Sequence, residues 1–322
     1  MIIKKASSDE LEKSYRVRLF DIAEFSQYDG PGIRTVIYFQ GCGVACDWCH
    51  SPHSQPYKAP LMYNDKLCVN CGRCVSACSY KVHTVINRQH FLNRTNCIQC
   101  GKCIEECPQS IAGVVGSALN LATVETTVET LFQQILPYLE LNKSDGGITL
   151  SGGEALLQSE ASEALLCLCK EKGIHTVVET AGLLPLDTYC KVLPWVDMWL
   201  FGMRVVTGRN RQHAERIDKA LGFLVDSGAS ILPRIPMIPG YFDREEVLNK
   251  LIELLEKYSL RTVWVNPWNN DYDIKYSHAG FPLLMDKPSE NEIKTCQEKI
   301  LLKLKKLKFN VYGNELNSEN DA

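Results

Sequence analysis

The chain contains 322 residues, of which 45% are hydrophobic and 23% are charged, a composition typical of a globular protein with a sizeable core. Its formal net charge of −3 provides no basic surface for nucleic acid, and no run of about 20 apolar residues predicts a membrane span. Because the N-terminal segment also lacks the apolar core of a signal peptide, we expect a cytoplasmic protein whose partners include neither nucleic acid nor membrane.

Strand-like apolar segments alternate with helical patterns along most of the chain. The predicted strands cover residues 35–40, 147–150, 175–179, 197–201, 230–235 and 262–266. Amphipathic helices are predicted between them, for example at residues 128–139, 162–172 and 244–258. This alternation favours parallel βα units, so we expect an α/β fold that forms a partial or full (β/α) barrel. In such barrels the chemistry occurs where the strands end and the loops begin.

One segment interrupts this alternation. Residues 61–111 contain two similar cysteine-rich runs about thirty residues apart, and this internal repeat predicts a separate inserted domain. The predicted organisation is a first barrel strand with its loop at 15–60, the insert at 61–111 and the remainder of the barrel at 112–313. The polar tail at 314–322 is expected to be disordered.

The chain has 15 cysteines, which we expect to stay reduced in the cytoplasm and therefore to bind metal rather than form disulfides. Eleven of them fall within one short region: Cys42, Cys46, Cys49, Cys68, Cys71, Cys74, Cys78, Cys97, Cys100, Cys103 and Cys107. The scattered remainder are interpreted as ordinary buried or helix-face residues: Cys167, Cys169, Cys190 and Cys296.

The insert has the cysteine spacing of a two-cluster bacterial ferredoxin. Each run reads Cys-x-x-Cys-x-x-Cys-x-x-x-Cys, and in that pattern three cysteines of one run bind a cluster while the fourth binds the other cluster. The first 4Fe-4S cluster would be bound by Cys68, Cys71, Cys74 and Cys107, and the second by Cys97, Cys100, Cys103 and Cys78. A pair of zinc sites is the alternative, but two runs with the same internal spacing favour the clusters.

A further motif precedes the insert and contains only three cysteines, Cys42, Cys46 and Cys49. Three thiolates on a 4Fe-4S cluster leave one iron open, which the amino and carboxylate groups of a methionine could chelate, placing a sulfonium against the cluster. The three cysteines are therefore the candidate catalytic residues. Trp48 offers a flat apolar surface for an adenine ring, and His50, directly after Cys49, is a second candidate cofactor contact. Read alone, the motif could also be a structural zinc loop.

Placed directly after a first barrel strand, this Cys-x-x-x-Cys-x-aromatic-Cys motif resembles the signature of radical S-adenosylmethionine enzymes. The preceding residues 29–35, Asp-Gly-Pro-Gly-Ile-Arg-Thr, are similar to the motif of the glycyl-radical-enzyme activating enzymes, relatives of pyruvate formate-lyase activating enzyme. The similarity continues in order at residues 151–158, 179–182 and 234–240, and spans about residues 25–267. It implies a partial (β/α) barrel of the radical S-adenosylmethionine type with an inserted ferredoxin-like domain, three 4Fe-4S clusters and S-adenosyl-L-methionine as cofactor.

The resemblance also implies roles for residues at the strand ends. Gly152, Gly153 and Glu154, in the turn after the second strand, would bind the methionine amino group of the cofactor, and Glu179 would lie near its ribose or methionine end. Without the resemblance, the turn could be a tight strand-to-helix connection and Glu179 a solvent-facing acid at a strand end.

One more segment has an implied role, in binding the partner protein. By resemblance, its residues border the opening through which the partner's glycine enters: Asp29, Gly30, Pro31 and Gly32. The alternative is a proline-glycine turn that leads into a strand.

The chain departs from the family at two places near the cofactor. Most relatives have Asp-Leu-Lys at the end of the fourth strand, where this chain has Gly202, Met203 and Arg204. Asn269 stands near the position of a histidine that lies close to the cofactor in relatives. Unlike the aspartate of relatives, Gly202 has no carboxylate that could bind a monovalent cation beside the cofactor. We therefore expect Arg204 to contact the cofactor carboxylate or ribose directly. All four residues are candidate cofactor contacts, although Arg204 could instead be a strand-end charge that faces solvent.

The implied function is reductive cleavage of S-adenosylmethionine to methionine and a 5′-deoxyadenosyl radical, which takes a hydrogen atom from a glycine of a partner glycyl radical enzyme. The insert would relay the electron from reduced flavodoxin or ferredoxin. Two alternatives stay open: a radical S-adenosylmethionine enzyme that acts on a small molecule, and a non-catalytic electron-transfer protein. The motif at residues 29–35 argues against the first, and the three-cysteine motif argues against the second.

Overall fold

The computed structural model describes residues 15–58, 60–110, 117–204 and 211–313. Two predictions concern residues outside these ranges: the disordered tail at 314–322, and the boundary between the insert and the remainder of the barrel at 111–112. Both stay predictions.

The described residues alternate between strands and helices, as predicted. The strands are β1 (Arg16–Ser26), β2 (Arg34–Phe39), β3 (Leu61–Tyr63), β4 (His83–Ile86), β5 (Gln89–Leu92), β6 (Leu119–Leu121), β7 (Val124–Thr127), β8 (Gly147–Gly152), β9 (His175–Thr180), β10 (Met198–Gly202), β11 (Ile231–Pro236), β12 (Thr262–Asn266) and β13 (Asn310–Tyr312). The helices are α1 (Arg73–Ala77), α2 (Lys102–Glu105), α3 (Val128–Leu141), α4 (Ser159–Glu171), α5 (Leu186–Val192), α6 (Arg211–Asp226), α7 (Glu245–Lys257), α8 (Tyr272–Ala279) and α9 (Glu290–Lys306).

One large sheet contains nine of the strands, in the order β13-β12-β11-β10-β9-β8-β2-β1-β7. From β2 to β13 neighbouring strands are parallel, whereas β1 is antiparallel to both β2 and β7. The six predicted barrel strands correspond to β2 and β8 to β12, which confirms the predicted α/β class. Within the described residues β13 and β7 are the edges of the sheet, so the barrel is partial. The strands β1, β7 and β13 extend it beyond the prediction.

The helices of the barrel pack their apolar sides against the sheet. In α7 the buried residues repeat on one side of the helix: Val247, Leu248, Leu251, Ile252 and Leu255. They join the same core as strand residues such as Phe39 and Trp199. At the start of α9, the side chains of Ser289 and Glu292 each accept a hydrogen bond from the other's backbone amide, a capping box that fixes where the helix begins. No helix among the described residues has the length and apolar character required to cross a membrane.

The insert and the strand that follows it, β6, form two small antiparallel sheets, β3 with β6 and β4 with β5. Its two cysteine runs share the same local structure. Gly72 (φ +78°) and Gly101 (φ +81°) each precede a short helix, and this left-handed backbone favours glycine. Asn64 and Asn93 cap the turn before the first cysteine of each run in the same way. The internal repeat of the sequence is therefore also a structural repeat.

Arg94 links the insert to the barrel, beside an apolar contact between Met62 and Ala279. Arg94 donates from Nε to the carbonyl oxygen of Leu61 and from Nη2 to that of His278 at the end of α8, both at 2.8 Å. The guanidinium passes so close to Gly280 that a Cβ there would overlap it. The insert is thus held against the last loops of the barrel, on the side where the parallel strands end.

Candidate active site

The three-cysteine loop follows β2 directly and is closed by Gln40. The Gln40 side-chain nitrogen Nε2 donates to the carbonyl oxygens of His53 (2.8 Å) and Pro56 (2.6 Å), on the far side of the loop. Cys46 is buried, and the other two cysteines of the loop are half-buried. The sulfur-bearing turn therefore has a defined shape in the protein itself.

The loop forms one wall of a cavity of about 820 Å³ at the carboxyl ends of the parallel strands. All three of its cysteines line this cavity. The other predicted site residues that line it are Asp29, Trp48, His50, Gly152, Gly153, Glu179, Gly202, Arg204 and Asn269. Its volume lies within the range of small-molecule binding sites. Residues predicted separately from several strand ends thus surround one space.

Gly152 and Gly153 bring the end of β8 against the cysteine loop. A Cβ on Gly152 would overlap the backbone of Phe39, and one on Gly153 would overlap the carbonyl oxygen of Gly41. The φ of Gly152 is +112°, which other residues rarely adopt. The two glycines therefore allow β8 to pack against the cysteine loop. Because they have no side chains, their backbone forms this part of the cavity wall.

Two predicted cofactor contacts, Glu154 and Met203, do not line the cavity. Glu154 is buried, and its Oε2 accepts from the amide of Ala181 (2.9 Å) and the hydroxyl of Thr180 (3.1 Å). Burial raises the pKa of Glu154 to about 7. Met203 is fully buried in the barrel core. Met203 alternates with Gly202 and Arg204, which face the cavity, and Glu154 lies behind the glycine turn, so both support the cavity wall from behind.

Charged and hydroxyl side chains form a network at the cavity. Arg234 on β11 makes ion pairs with Asp29 (Nη1–Oδ1, 3.3 Å) and with Glu179 (Nη1–Oε2, 3.4 Å). The hydroxyl of Ser151 donates to Glu179 at 2.6 Å, and Arg204 Nη2 lies 3.7 Å from Glu179 Oε1. Burial alone would raise the pKa of Glu179, but the two arginines and the hydroxyl outweigh it and lower that pKa. The carboxylate is therefore ionised at neutral pH.

Arg204 occupies the space beside Gly202. A Cβ on Gly202 would lie 3.4 Å from Arg204 Nε, in direct van der Waals contact with the guanidinium. Burial opposes the charge of Arg204, but the sulfurs of the three-cysteine loop and Glu179 outweigh it and raise its pKa. A fixed positive charge thus lines the cavity next to the cysteine loop, and Arg204 does not project into bulk solvent.

Trp48, His50 and Asn269 line the cavity and also have partners in the protein. The Trp48 ring packs edge-on against Tyr241, with 4.7 Å between ring centroids. His50 Nδ1 lies 3.3 Å from Lys275 Nζ, and the Asn269 side chain accepts from a backbone amide two residues later. These contacts hold the three side chains at the cavity wall. Adenine stacking on Trp48 stays a prediction.

Of the four predicted partner-binding residues, only Asp29 lines the cavity. The other three shape the loop that carries it. Gly32 has φ +70° and packs so tightly that a Cβ would overlap the carbonyl oxygen of Asp145. The buried Arg34 donates from Nη1 to the carbonyl oxygen of Pro31 at 3.0 Å. The loop is therefore fixed from both sides, with Asp29 presented to the cavity.

The insert brings its eight cysteines together in two groups of four. One small cavity is lined by Cys68, Cys71, Cys74 and Cys107, and the other by Cys78, Cys97, Cys100 and Cys103. These groups are the two predicted ligand sets, each with one cysteine from the opposite run. Among the described residues, one group of three potential metal ligands has its atoms within 4.8 Å of one another, and it combines Cys74 with His83 and His90. The four cysteine sulfurs of either group are not that close together, as they would be around a single tetrahedral zinc ion with Zn–S bonds of about 2.3 Å.

The site also contains residues that the sequence did not assign to it: Ser151, Arg234 and, in the insert, His83 and His90. Arg234 lies in the motif at 234–240, but its partner Asp29 is 205 residues away, so no local pattern connects them. A charged residue within the apolar run of β11 was the available signal. Apart from its place in the motif at residues 151–158, nothing in the sequence indicated that Ser151 belongs to the site.

The sequence of this chain is similar to a known domain family and to several named proteins. Residues 60–108 match the 4Fe-4S dicluster domain family. The choline trimethylamine-lyase activating enzyme of Oleidesulfovibrio alaskensis is 35% identical, over 74% of this chain and 78% of that protein. The trans-4-hydroxy-L-proline dehydratase activating enzyme of Clostridioides difficile is 32% identical, over 80% of this chain and 86% of that protein. The pyruvate formate-lyase 2-activating enzyme of Escherichia coli is 27% identical, over 87% and 88%. The chain therefore belongs to the glycyl-radical-enzyme activating enzymes, a group of radical S-adenosylmethionine enzymes.

Proposed function

We propose that this activating enzyme binds three 4Fe-4S clusters, and that it cleaves S-adenosylmethionine at the cluster bound by Cys42, Cys46 and Cys49. A 4Fe-4S cluster held by these three cysteines would supply one-electron chemistry to the bound cofactor, namely reductive cleavage of its sulfonium, and so the radical that removes a hydrogen atom from a partner's glycine. One observation carries the proposal. The three cysteines share a single cavity with the bare glycine turn, with Glu179 and with Arg204.

The chemistry of the cavity wall fits the cofactor's groups. Backbone carbonyls of Gly152 and Gly153 are acceptors for its ammonium group. The guanidinium of Arg204 is a donor for its carboxylate or a ribose oxygen, and its position beside Gly202 supports direct contact without a bound cation. Glu179 is ionised and can accept from the ammonium or from ribose hydroxyls. These side chains bind and orient the cofactor and perform no proton transfer.

The partner's glycine approaches, in our proposal, past the loop at residues 29–32. Asp29 is the residue of this loop that lines the cavity, and its carboxylate is held by Arg234. Because Gly32 and Pro31 are fixed by close packing and hydrogen bonding, the loop keeps its shape without the partner. A preformed loop reduces the ordering cost of binding an extended segment.

We further propose that the insert relays electrons from reduced flavodoxin or ferredoxin. Cys71 lies in one cysteine group and Cys100 in the other, and both residues are exposed. Each group therefore reaches the protein surface, where a donor can dock. A cytoplasmic location also follows in this proposal, because eleven ligand thiolates require a reducing compartment.

Metal analysis and single cysteine variants test the cluster assignment. Anaerobic reconstitution should yield about twelve irons per chain. Cys42→Ala, Cys46→Ala and Cys49→Ala should each abolish formation of 5′-deoxyadenosine, whereas Cys100→Ala should retain part of it with a strong chemical reductant. About four irons, or stoichiometric zinc, would contradict the two clusters of the insert. An equal loss of 5′-deoxyadenosine in all four variants, with the three-cysteine cluster intact in Cys100→Ala, would contradict the proposal that cleavage occurs at the three-cysteine cluster and not in the insert.

The partner is a glycyl radical enzyme, and its identity needs a direct assay. Relatives named after different partners match this chain at 35% and 32% identity, so identity alone does not select one. Candidate partners encoded near this chain should develop a glycyl radical signal in electron paramagnetic resonance when incubated with the enzyme and cofactor. Cofactor cleavage that needs a small molecule instead, with no protein radical, would support the small-molecule alternative.

A further inference from the structure

Two buried histidines lie between the cysteine groups of the insert. His83 on β4 and His90 on β5 are almost fully buried, and His83 Nδ1 lies 3.0 Å from His90 Nε2, within hydrogen-bond distance. Their rings are stacked at 5.2 Å between centroids. His90 lines the cavity of the first cysteine group, and His83 lines that of the second. The hydrogen-bonded pair therefore spans the protein between the two groups.

The His90 ring contacts two sulfurs of the first group. Its Nδ1 lies 3.7 Å from Cys68 Sγ, and its Nε2 lies 3.6 Å from Cys74 Sγ. The backbone amide of His90 donates to the side chain of Asn70 at 3.0 Å, which fixes the ring's position relative to the cysteine run. These distances are within reach of an N–H···S hydrogen bond.

The hydrogen-bond partners determine which nitrogens carry hydrogen. A metal-bound thiolate can only accept, so a hydrogen on either ring nitrogen of His90 faces a sulfur of the first group, Cys68 from Nδ1 or Cys74 from Nε2. With the hydrogen on Nδ1, His90 Nε2 is free to accept from His83 Nδ1, 3.0 Å away. This assignment leaves His83 Nε2 without a hydrogen, and that atom is buried with no partner among the described residues. An orphaned N–H would cost more there than an orphaned acceptor, so the chain of bonds runs from His83 through His90 to Cys68.

The second group has no equivalent donor. Among the described residues, the contacts of His90 with cysteine sulfurs go to the first group, and the second group, formed by Cys78, Cys97, Cys100 and Cys103, has no matching histidine contact. The two otherwise repeated halves of the insert are therefore asymmetric at this point.

We propose that His90, positioned by His83, donates a hydrogen bond to Cys68 and makes the first cluster of the insert easier to reduce than the second. The proposal rests on the two-cluster assignment made above. A donor to a ligand sulfur stabilises the extra negative charge of a reduced cluster, and hydrogen bonds to sulfur are among the features that set cluster potentials. Electrons that enter the insert would then reside preferentially on the first cluster.

A redox titration of the full-length chain tests this. Replacing Cys42, Cys46 and Cys49 together by alanine leaves the two clusters of the insert as the only paramagnetic centres. In that background His90→Leu should shift one of the two midpoint potentials to a more negative value. His90→Asn, whose amide nitrogen occupies a position similar to Nδ1, should restore most of it. His83→Phe should produce a smaller shift in the same direction, because His90 loses the partner that fixes its tautomer.

Control variants separate this role from general disturbance of the insert. Tyr80→Phe, in the wall of the second cavity, should change neither potential. Tyr63→Phe measures the other polar group near the first cluster, since the Tyr63 hydroxyl also interacts with Cys68. With ¹⁵N-labelled histidine, the reduced protein should show a weak nitrogen coupling that His90→Leu removes.

The outcomes distinguish failure of this proposal from failure of the cluster assignment. The background protein should contain about eight irons, and about four irons or stoichiometric zinc would reject the assignment itself. With about eight irons retained, unchanged potentials in His90→Leu would overturn the hydrogen-bond proposal. Loss of one cluster in both His90→Leu and His90→Asn would also overturn it, because His90 would then be a ligand rather than a donor.

Discussion

Replacing Arg234 with methionine tests whether the charge network at the cavity is a major source of stability. The methionine keeps much of the side-chain length but removes the charge. Four groups lose a partner: Asp29 and Glu179, at 3.3 and 3.4 Å from Arg234 Nη1, and the side-chain oxygen of Asn266 and the backbone carbonyl oxygen of Tyr28, which each accept from Nη2 at 3.1 Å. The Arg234 side chain is only 9% exposed, and water from the cavity that it lines replaces the lost contacts only in part.

The expected cost follows from burial and from the partners that remain. Removing one member of a buried ion pair typically costs about 3–5 kcal/mol, because the other charge is left uncompensated. Asp29 retains the hydroxyl of Ser26 at 2.6 Å, and Glu179 retains Ser151 and Arg204. We therefore expect the lower end of this range, about 3 kcal/mol, which is a large part of the usual stability of a folded domain.

Anaerobic urea unfolding at matched iron content measures this cost. The control is Lys257→Met, which breaks an ion pair with Asp218 that is shorter, at 2.7 Å, but exposed, with side-chain exposures of 53% and 39%. We expect its effect to be a small fraction of that of Arg234→Met, since solvent screens the exposed pair. A loss below about 1 kcal/mol in Arg234→Met, or equal losses in the two variants, would refute the reasoning.

Three further predictions concern single residues of the site. Gly32→Ala should destabilise the protein more than Gly240→Ala in the same unfolding assay, because both have left-handed φ but only a Cβ at Gly32 overlaps another residue, Asp145. Burial raises the pKa of Glu154 from 4.5 to about 7, so its contribution to stability is present below pH 4.5 and lost as the pH rises through 7. Without cofactor, Glu154→Gln should therefore lose less stability than the parent protein on moving from about pH 5 to about pH 8, and an equal loss would contradict this. Arg204→Ala should weaken cofactor binding, followed by electron paramagnetic resonance, and the binding of the parent protein should depend little on sodium or potassium; strong cation dependence would reject direct contact.

The barrel could be predicted because its central strands are buried on both faces and so read as continuous apolar runs. The strands that were missed lack this property. Arg16–Ser26 contains charged residues and pairs with antiparallel neighbours, and Asn310–Tyr312 has only three residues. Both lie toward the edges of the sheet, where burial imposes less pattern on the sequence.

The site was predictable where spacing along the chain encodes it. Cysteine spacing identified both groups of the insert, including the exchange of Cys78 and Cys107 between runs. Contacts across the barrel leave no such pattern, so the pairing of Asp29 with Arg234 was not foreseen. A motif also does not show which of its side chains face the cavity. Glu154 was therefore predicted to contact the cofactor along with the rest of its motif, although its carboxylate points away from the cavity.

The pairing of β3 with β6 has a consequence for how this protein arose. Leu61 and Leu121 face each other across that pair, so the chain enters and leaves the insert at neighbouring points, about one strand spacing of 4.8 Å apart. A segment whose ends already meet can be gained, lost or exchanged as a unit, because the remaining chain needs only a short turn to close the gap. The insert and the barrel can therefore have separate evolutionary histories, and chimeras that exchange only the insert are structurally reasonable.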